Sequence, residues 1–319
     1  MNYGLPYKGS KNRIAKRLVE ALPAAPVLYD VFAGGCAVTH AAMLSGKYQR
    51  FVVNDLRGWL PDAFREAING GYAHEDRWIS REDFERLKST DAYAAMCFSF
   101  GNDCRSYMYA RGLEPYKRAL HYAIFWRDFA PWAALCPETA DALASGLAPI
   151  EDRKQRRIQA GHFIVFIVES LKAQLAAEML TPDILDKPIY RQSLESLQIL
   201  QSLQSLERLQ SLERLQSLEC LPGALTAHSG DYRELCFDEP GIIYCDPPYK
   251  NTKERYGREF DAEAFYGWCE AQKLPVYISE YQMPEERFVC VAEWDKVTTM
   301  AAKTTNHVTE RLWRPRAQL

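Results

Sequence analysis

A short apolar run that ends in Asp-Pro-Pro-Tyr constrains the fold of this 319-residue chain more than any other feature. Residues 241–245 are typical of a buried strand, and Pro247 and Pro248 end it, because proline lacks an N–H donor and has a fixed φ. The result is a rigid turn at the carboxyl end of a strand, where open α/β sheets bind ligands. The carboxylate of Asp246, the carbonyl of Pro247 and the ring of Tyr249 suit a planar base that carries an exocyclic amino group. The alternative interpretation is an ordinary turn with a surface tyrosine.

Other apolar runs are separated by helical segments, which is the pattern of a parallel sheet covered by helices. The predicted strands are 27–32, 51–54, 242–246, 275–279, 288–291 and 311–313, and residues 39–44 are expected to open a helix. Between about 58 and 190 strand alternation fades, and helix formers, aromatic residues and prolines dominate. We therefore expect an α/β fold with a Rossmann-like, doubly wound parallel sheet and helices on both faces. Its domain would consist of residues 1–59 and 190–319, with residues 60–189 forming a mainly α-helical insertion.

Leucine recurs at every third position between Leu194 and Leu221, and the hexapeptide Leu-Gln-Ser-Leu-Glu-Arg repeats from Leu203 onward. A period of three matches neither a straight helix nor a heptad, since each leucine would step about −60° around the helix. The residue types nonetheless favour a helix. We interpret residues 194–221 as a low-complexity expansion that lengthens a helix, with a coiled-coil partner site as the alternative.

Composition excludes several classes of protein. No apolar run approaches the ~18 residues of a membrane span, and the N-terminus lacks the apolar core of a signal peptide, so we expect a cytoplasmic protein without a membrane partner. The nine cysteines are scattered without a CxxC pair and the histidines lack metal-ligand spacing, so neither disulfides nor a metal is expected. Because the net charge is −3, a nucleic-acid partner would have to bind to local basic patches rather than be attracted by the overall charge.

A glycine pair follows the first predicted strand, in the segment Asp30-Val31-Phe32-Ala33-Gly34-Gly35. Glycine lets the backbone approach a ligand closely and adopt a positive φ, but the dinucleotide pattern G-x-G-x-x-G is absent. Twenty residues after Gly35, Asp55 ends the second apolar strand. A carboxylate at that place can accept both hydroxyls of a ribose. The alternative role for Asp55 is to cap a helix.

Taken together and in this order, the motifs resemble the Dam-like DNA adenine methyltransferases, amino methyltransferases of the Asp-Pro-Pro-Tyr type. The segments that carry the resemblance are Tyr7-Lys8-Gly9-Ser10-Lys11, Asp30 to Gly35, Asn54-Asp55, Gly230-Asp231-Tyr232, Asp246-Pro247-Pro248-Tyr249 and Tyr256-Gly257 with Phe260. They span both ends of the chain but cover neither its middle nor the leucine repeat. Within the middle, Ser99-Phe100-Gly101-Asn102 with Arg105, Ser106 and Tyr107 is similar to a variant of the family's DNA-facing loop.

The resemblance implies S-adenosylmethionine as cofactor. The residues that would bind it are Tyr7, Lys11, Asp30, Phe32, Gly34, Gly35, Asp55, Asp231 and Asp246. Tyr7 and Lys11 would line the methionine end, Asp55 would hold the ribose, and Asp231 would accept from the adenine amino group. Cys36 departs from the family, where a glycine is frequent at this position, and fits if it begins the helix. The alternative for Lys11 is a solvated lysine at a helix start.

The resemblance also implies an enzyme, a site-specific DNA methyltransferase that modifies the exocyclic 6-amino group of a flipped-out adenine. Asp246 and Pro247 would accept the two amino hydrogens and Tyr249 would stack on the base, which makes these three the expected catalytic residues. The residues expected to contact the substrate, double-stranded DNA, are Pro248, Phe260, Asn102, Arg105 and Tyr107. The alternatives are a cytosine 4-amino methyltransferase and a catalytically silent DNA-binding protein. The resemblance suggests a bacterial or phage origin and a restriction-modification context, and a monomer is the expected state.

Basic residues of the middle segment are candidates for contacts with DNA phosphates. They are Arg105, Arg111, Lys117 and Arg118, which lie near tyrosines, and the run Arg153-Lys154-Gln155-Arg156-Arg157. The alternative for the basic run is a solvated helix face.

Overall fold

The computed structural model describes residues 3–178, 211, 224–248, 260–301 and 304–319. The strands in these ranges are β1 (Val27–Asp30), β2 (Arg50–Asp55), β3 (Ala224–Ser229), β4 (Gly241–Cys245), β5 (Val276–Glu280), β6 (Phe288–Ala301) and β7 (Thr304–Pro315). They form one seven-stranded sheet in the order β3-β2-β1-β4-β5-β7-β6.

The α-helices of the described residues fall mostly between β2 and β3 along the chain. They are α1 (Ala15–Ala21), α2 (Ala37–Ser45), α3 (Trp59–Ile68), α4 (Arg81–Leu87), α5 (Ala92–Cys97), α6 (Glu114–Trp126), α7 (Ala130–Leu135), α8 (Pro137–Leu147), α9 (Arg153–Glu178) and α10 (Ala262–Ala271). Within the ranges that the structure describes, no helix combines the length and the apolar character that a bilayer crossing requires.

The sheet is mixed rather than wholly parallel. Its first five strands in spatial order pair in parallel, whereas β7 pairs antiparallel with both β5 and β6. The predicted doubly wound parallel sheet is therefore wrong at this edge. Only two residues separate β6 from β7, which is too few for the crossover that parallel pairing needs. The predicted α/β class, a Rossmann-like sheet with helices on both faces, is confirmed.

Burial explains which strands are easy to recognise in the sequence. All four residues of β1 are buried, because the strand lies between β2 and β4 and is covered on both faces. Such a strand is a continuous apolar run in the sequence. At the edge of the sheet β3 alternates between exposed and partly buried residues. Its sequence Ala-Leu-Thr-Ala-His-Ser therefore lacks a long apolar run, and no strand is predicted there.

A hydrophobic core packs α10 against the centre of the sheet. Val31, Ile243 and Phe288 contribute to it from the sheet side and Phe265 from α10, and each of these side chains is fully buried. Truncation of such a phenylalanine to alanine costs about 3–5 kcal/mol. The helix begins at the N-cap Asp261, whose side chain accepts a hydrogen bond of 3.0 Å from the Ala264 amide.

The described residues divide into two compact units. One is drawn from residues 1–74, 89–96 and 212–319 and contains the sheet, and the other is drawn from residues 75–88 and 97–211. The predicted helical insertion with bounds at 60 and 189 remains a prediction. The predicted leucine expansion at 194–221 lies outside the described residues except for Ser211.

The second unit has an aromatic interior. Trp78 stacks on Tyr109 with ring centroids 5.7 Å apart, and His121 stacks on Phe125 at 4.4 Å. The guanidinium of Arg156 is buried and donates to the carbonyl oxygen of Ile124 over 2.6 Å. Its Nη1 also donates to the carbonyl oxygens of Ile150 and Glu151, so this arginine joins α6 to the segment before α9 instead of facing solvent.

Candidate active site

Three carboxylates lie at the carboxyl ends of neighbouring parallel strands. Asp30 is the last residue of β1, Asp55 is the last residue of β2, and Asp246 directly follows β4. The strand order reverses at β1, which has β2 on one side and β4 on the other. Ligands of open α/β sheets bind at such a switch point, outside the carboxyl ends of the strands. The fold thus brings together three acids that the sequence predicted to be functional.

The turn after β1 is fixed by a tight contact with the N-terminal segment. The Leu5 amide donates to the Gly35 carbonyl over 2.7 Å, and the Gly4 amide donates to Nδ1 of His40 over 2.9 Å. Gly34 has a φ of +49°, the left-handed conformation that glycine adopts without strain. Tyr7 lies against this turn, since a Cβ added to Gly34 would lie 3.6 Å from its ring. The two predicted methionine-end features, Tyr7 and the glycine pair, are therefore neighbours.

Cys36 has a left-handed backbone conformation, which glycine adopts most readily. Its φ is +54°, and it is the N-cap residue of α2. A left-handed non-glycine residue costs roughly 1–2 kcal/mol. The thiol is fully buried, and this burial raises the pKa of Cys36 well above its usual value. Cys36 therefore stands at the start of α2, the position at which a cysteine was expected to fit.

Asp55 organises the turn through its side chain. Its Oδ2 accepts a hydrogen bond of 2.9 Å from the Gly34 amide, and its Oδ1 accepts one of 2.8 Å from the Arg57 amide. Burial raises the pKa of Asp55, and these two hydrogen bonds oppose the shift. The alternative that Asp55 caps the next helix is wrong, because the N-cap residue of α3 is Gly58. Each carboxylate oxygen retains a further lone pair that can accept a hydroxyl.

Asp30 is the most deeply buried of the three strand-end aspartates. Its Oδ2 accepts a hydrogen bond of 2.6 Å from the Thr39 hydroxyl, while its Oδ1 is buried and has no hydrogen-bond partner among the described residues. Burial raises the pKa of Asp30 to about 7, and the neighbouring charges of Asp246 and Asp55 act in the same direction. A buried acceptor of this kind is costly unless it finds a donor.

Lys11 lies inside the fold and binds two carboxylates. Its Nζ is 2.9 Å from Oδ1 of Asp246 and 3.0 Å from Oε1 of Glu310, and its side chain is only 4% exposed. The alternative of a solvated lysine is therefore wrong. Burial opposes the charged form, but the two carboxylates outweigh it and the pKa of Lys11 is raised, so the side chain stays protonated.

The turn after β4 is partly open. The side chain of Asp246 is 20% exposed, Pro247 is buried and Pro248 is half-buried. The carboxylate is thus held from inside by Lys11 and still reachable from solvent. Tyr249, predicted to stack on the base, and the Tyr256-Gly257 motif lie outside the described residues.

An aromatic cluster joins two of the predicted site residues. Phe32 has its ring centroid 5.2 Å from that of Tyr232 and 6.1 Å from that of Phe260. Asp231, next to Tyr232, binds the guanidinium of Arg233 with Nε at 2.9 Å and Nη2 at 2.6 Å. Phe32 and Phe260, predicted as cofactor and substrate contacts, thus lie close to each other.

Two buried acids of this edge were not singled out from the sequence. Glu280 is the last residue of β5, where burial raises its pKa to about 7, and Glu310 lies within β7. Glu280 follows an apolar strand just as Asp246 does, so the same pattern could have identified it. The signal for Glu310 is weaker, since an acid inside a strand is more often solvent-exposed.

The predicted DNA-facing residues lie in the second unit, where the three differ in exposure. Arg105 is exposed, whereas Asn102 and Tyr107 are half-buried. The Tyr107 hydroxyl donates to the Ile79 carbonyl over 3.0 Å, and the guanidinium of Arg81 lies 4.7 Å from its ring centroid. Tyr107 therefore has a packing role inside its own unit.

Two of the basic candidates are not available at the surface. Lys117 and Arg156 are buried, so the prediction that they contact phosphates is wrong for them. Lys117 Nζ lies 5.9 Å from the ring centroid of Tyr109. Arg111 and Arg118 are exposed and border one open cleft of about 570 Å³.

Comparison with known proteins gives a family match for the N-terminal part of the chain. No curated protein matches the chain. Residues 7–123 match the family model described as D12 class N6 adenine-specific DNA methyltransferase. The matched residues include Lys11, Asp30 and Asp55, and the structure brings Asp246, from beyond them, to the same edge of the sheet. The predicted resemblance is confirmed over residues 7–123, which are similar to the D12 class of N6 adenine-specific DNA methyltransferases, a family of enzymes.

Proposed function

We propose that this enzyme binds S-adenosylmethionine and methylates the 6-amino nitrogen of an adenine that is flipped out of double-stranded DNA. The observation that carries the proposal is the position of Asp246. Its partly exposed carboxylate lies at the switch point of the sheet and is held by Lys11, at the same edge as Asp30 and Asp55. The family match supports DNA adenine methylation as the reaction class.

The chemistry of this edge fits S-adenosylmethionine. The cofactor combines a sulfonium, an ammonium group and ribose hydroxyls, and the edge offers carboxylates to all of them. Asp55 can take the ribose, and the unpartnered Oδ1 of Asp30 can take a donor at the methionine end, above the Gly34-Gly35 turn. Asp231 would accept from the adenine amino group of the cofactor. When bound, the cofactor supplies an activated methyl group on its sulfur.

Asp246 is suited to receive the amino group of the target base. Because Lys11 is protonated beside it, its carboxylate is ionised and accepts an N–H hydrogen bond, while the Pro247 carbonyl accepts the second. The amino lone pair is then directed toward the methyl carbon. The N–C bond forms as the C–S bond breaks, the sulfur keeps the electron pair, and the positive charge appears on nitrogen beside Asp246. Water removes the proton afterwards, so a tuned general base is unnecessary.

The target base needs stacking partners once it leaves the duplex. Flipping costs a few kcal/mol, which stacking and backbone contacts offset. Tyr249 would stack on one face of the adenine. Phe260, held against Phe32, would contact the base together with Pro248.

We assign contacts with the DNA backbone to the second unit and, more broadly, to residues 60–189, which would act as a target-recognition domain. Arg105, Arg111 and Arg118 are exposed there. Cations of this kind neutralise phosphates and make binding depend on salt, while a few side chains, with Asn102 and Tyr107 as candidates, would read or position bases.

The test is to measure modified bases directly. DNA from cells that express the chain, and from cells that express Asp246→Ala, is digested to nucleosides and analysed by mass spectrometry. N6-methyl-2′-deoxyadenosine that appears only with the wild-type chain supports the proposal. N4-methyl-2′-deoxycytidine would instead support the cytosine alternative. No modified base, with DNA binding retained, would support the silent DNA-binding protein.

A further inference from the structure

Glu310 is a buried carboxylate that pairs with Lys11, as Asp246 does. Its side chain is 0% exposed, its Oε1 lies 3.0 Å from Nζ of Lys11, and the same oxygen accepts a hydrogen bond of 3.2 Å from the Ser279 hydroxyl. A buried charge is stable only when it is paired and hydrogen-bonded. Glu310 meets both conditions through these two groups.

Lys11 thereby links a buried carboxylate to a partly exposed one. Its ammonium group donates one N–H to Glu310 and another to Asp246. The two N···O distances, 3.0 Å and 2.9 Å, are nearly equal. Lys11 belongs to the segment before α1, where its carbonyl accepts from the Ile14 and Ala15 amides at 2.9 Å. Both ends of the lysine are therefore fixed, the backbone by the helix start and the ammonium by Glu310.

We propose, on the basis of the function proposed above, that Glu310 is a positioning residue that acts through Lys11 to orient the Asp246 carboxylate and to keep the group of three negatively charged. Lys11 and Asp246 alone form a neutral pair. With Glu310 the three side chains carry one net negative charge.

That charge matters for the reaction class. Positive charge passes from sulfur to the amino nitrogen during methyl transfer, and fixed negative charge aimed at it stabilises the transition state. A neutral pair gives much less of this stabilisation, and an ammonium free to rotate could approach the developing cation. Glu310 holds the ammonium on the inner side, so the outer side of the site presents the carboxylate.

The experiment compares steady-state kinetics of the full-length chain and its variants on PCR-amplified, unmodified DNA with radiolabelled S-adenosylmethionine. Glu310→Gln keeps the shape of the side chain and removes its charge. We expect kcat to fall about 10–100-fold, with the KM for S-adenosylmethionine changed less than about 3-fold. Glu310→Asp keeps the charge and should recover part of the loss. The matched control is Glu293→Gln, which removes an exposed carboxylate that pairs with half-buried Arg311 over 3.3 Å on the same strand pair, and it should leave kcat unchanged.

A double-mutant comparison separates positioning from a general structural effect. If Glu310 acts through Lys11, then Glu310→Gln should lower kcat by less than about 2-fold in a Lys11→Met background, because coupled residues are not additive. Equal fold-losses in both backgrounds would overturn the proposal, and so would a wild-type kcat for Glu310→Gln.

If Glu310→Gln alone does not fold, the double variant Lys11→Met, Glu310→Gln can be measured instead, because it removes both buried charges together. A folded double variant with wild-type kcat would overturn the proposal. A double variant whose kcat equals that of Lys11→Met alone would support it, because Glu310 then acts only through Lys11. An inactive wild-type chain would refute the proposed function itself, which is a different outcome from an active wild type that tolerates Glu310→Gln.

Discussion

Oδ2 of Asp55 accepts a hydrogen bond of 2.9 Å from the amide of Gly34. The side chain at the end of β2 thus fixes the backbone of the turn that follows β1. A second acceptor contact, from the Arg57 amide to Oδ1 at 2.8 Å, ties the carboxylate to its own strand end. One residue therefore shapes the loop on which the proposed cofactor site depends and points the same carboxylate at the proposed ribose position.

Asp55→Ala is expected to lower both stability and cofactor affinity. The change leaves two amide donors without an acceptor, at about 1–3 kcal/mol for each group that stays buried. Asp231→Ala is the matched comparison, since its partner Arg233 is largely exposed, and its effect on stability should be below about 1 kcal/mol. Thermal unfolding and calorimetric titration with S-adenosylmethionine measure the two effects. Unchanged affinity in a folded Asp55→Ala chain would contradict the ribose assignment.

Asp246→Ala is expected to abolish methylation. The amino group loses its charged acceptor, while Lys11 keeps Glu310 as a partner, so the fold should survive. Affinity for S-adenosylmethionine should weaken by less than about 100-fold, because the other cofactor contacts remain. Methyl transfer and titration on the same preparation test this. Asp295→Ala, at an exposed acid on β6 that accepts from Thr309, is the control, and retained turnover in Asp246→Ala would refute the assignment.

Tyr249 gives a prediction that depends on ring chemistry alone. If the residue stacks on the flipped adenine, Tyr249→Phe should keep substantial activity because the aromatic face remains, whereas Tyr249→Ala should lose most of it. Steady-state kinetics on unmodified DNA measures both variants. Equal losses would mean that the hydroxyl, rather than the face, matters.

Gly4→Ala is expected to displace the N-terminal segment from the turn after β1. Gly4 has a φ of +67°, and an added Cβ would overlap the Gly35 carbonyl oxygen and lie 2.6 Å from the Ala37 amide nitrogen. Gly46→Ala is the matched control, because Gly46 has a φ of +69° and nothing lies within 4 Å of its added Cβ. Both variants carry a left-handed strain of about 1–2 kcal/mol.

Only the Gly4 variant adds the overlap with the backbone. It should therefore lose more unfolding free energy than Gly46→Ala in urea titrations, and it should lose methylation as Tyr7 and Lys11 move. Identical free energies of unfolding for the two variants would show that the N-terminal segment can move away from the turn without loss of stability.

Asp30 predicts a pH dependence of stability. Burial raises its pKa from 3.8 to about 7, so between these values the native state holds a proton that the unfolded state has released. The free energy of unfolding therefore falls as pH rises from about 4 to 7. Asp30→Asn keeps an acceptor for Thr39 and removes this titration, so at pH 8 it should exceed the wild type by up to ~4 kcal/mol.

Urea denaturation at pH 5 and pH 8 measures this difference. Because burial also raises the pKa of Glu280 to about 7, Asp30→Asn should reduce the pH dependence without abolishing it. Parallel pH profiles for the wild type and the variant would contradict the burial of an ionisable Asp30.

The structure agrees with the sequence wherever the signal is local. Asp55 and Asp246 were predicted at strand ends, since each ends or follows an apolar run, and both lie there, whereas Asp30 was predicted within the strand 27–32 and instead ends β1. The turn at Gly34 was predicted from glycine chemistry, and its positive φ is observed. Such features depend on a few neighbouring residues, whose backbone preferences and burial leave a pattern in the chain.

The sequence by itself determined the α/β class, the strand-end acids and the family that residues 7–123 match. Only the tertiary structure decided the edge strand β3, the antiparallel β7 and the partners of Lys11. The physical reason is that a buried, charged lysine needs carboxylates beside it, and here those carboxylates lie at the end of β4 and within β7, far along the chain. No local pattern around Lys11 specifies Asp246 and Glu310, because their meeting depends on how the whole sheet is assembled.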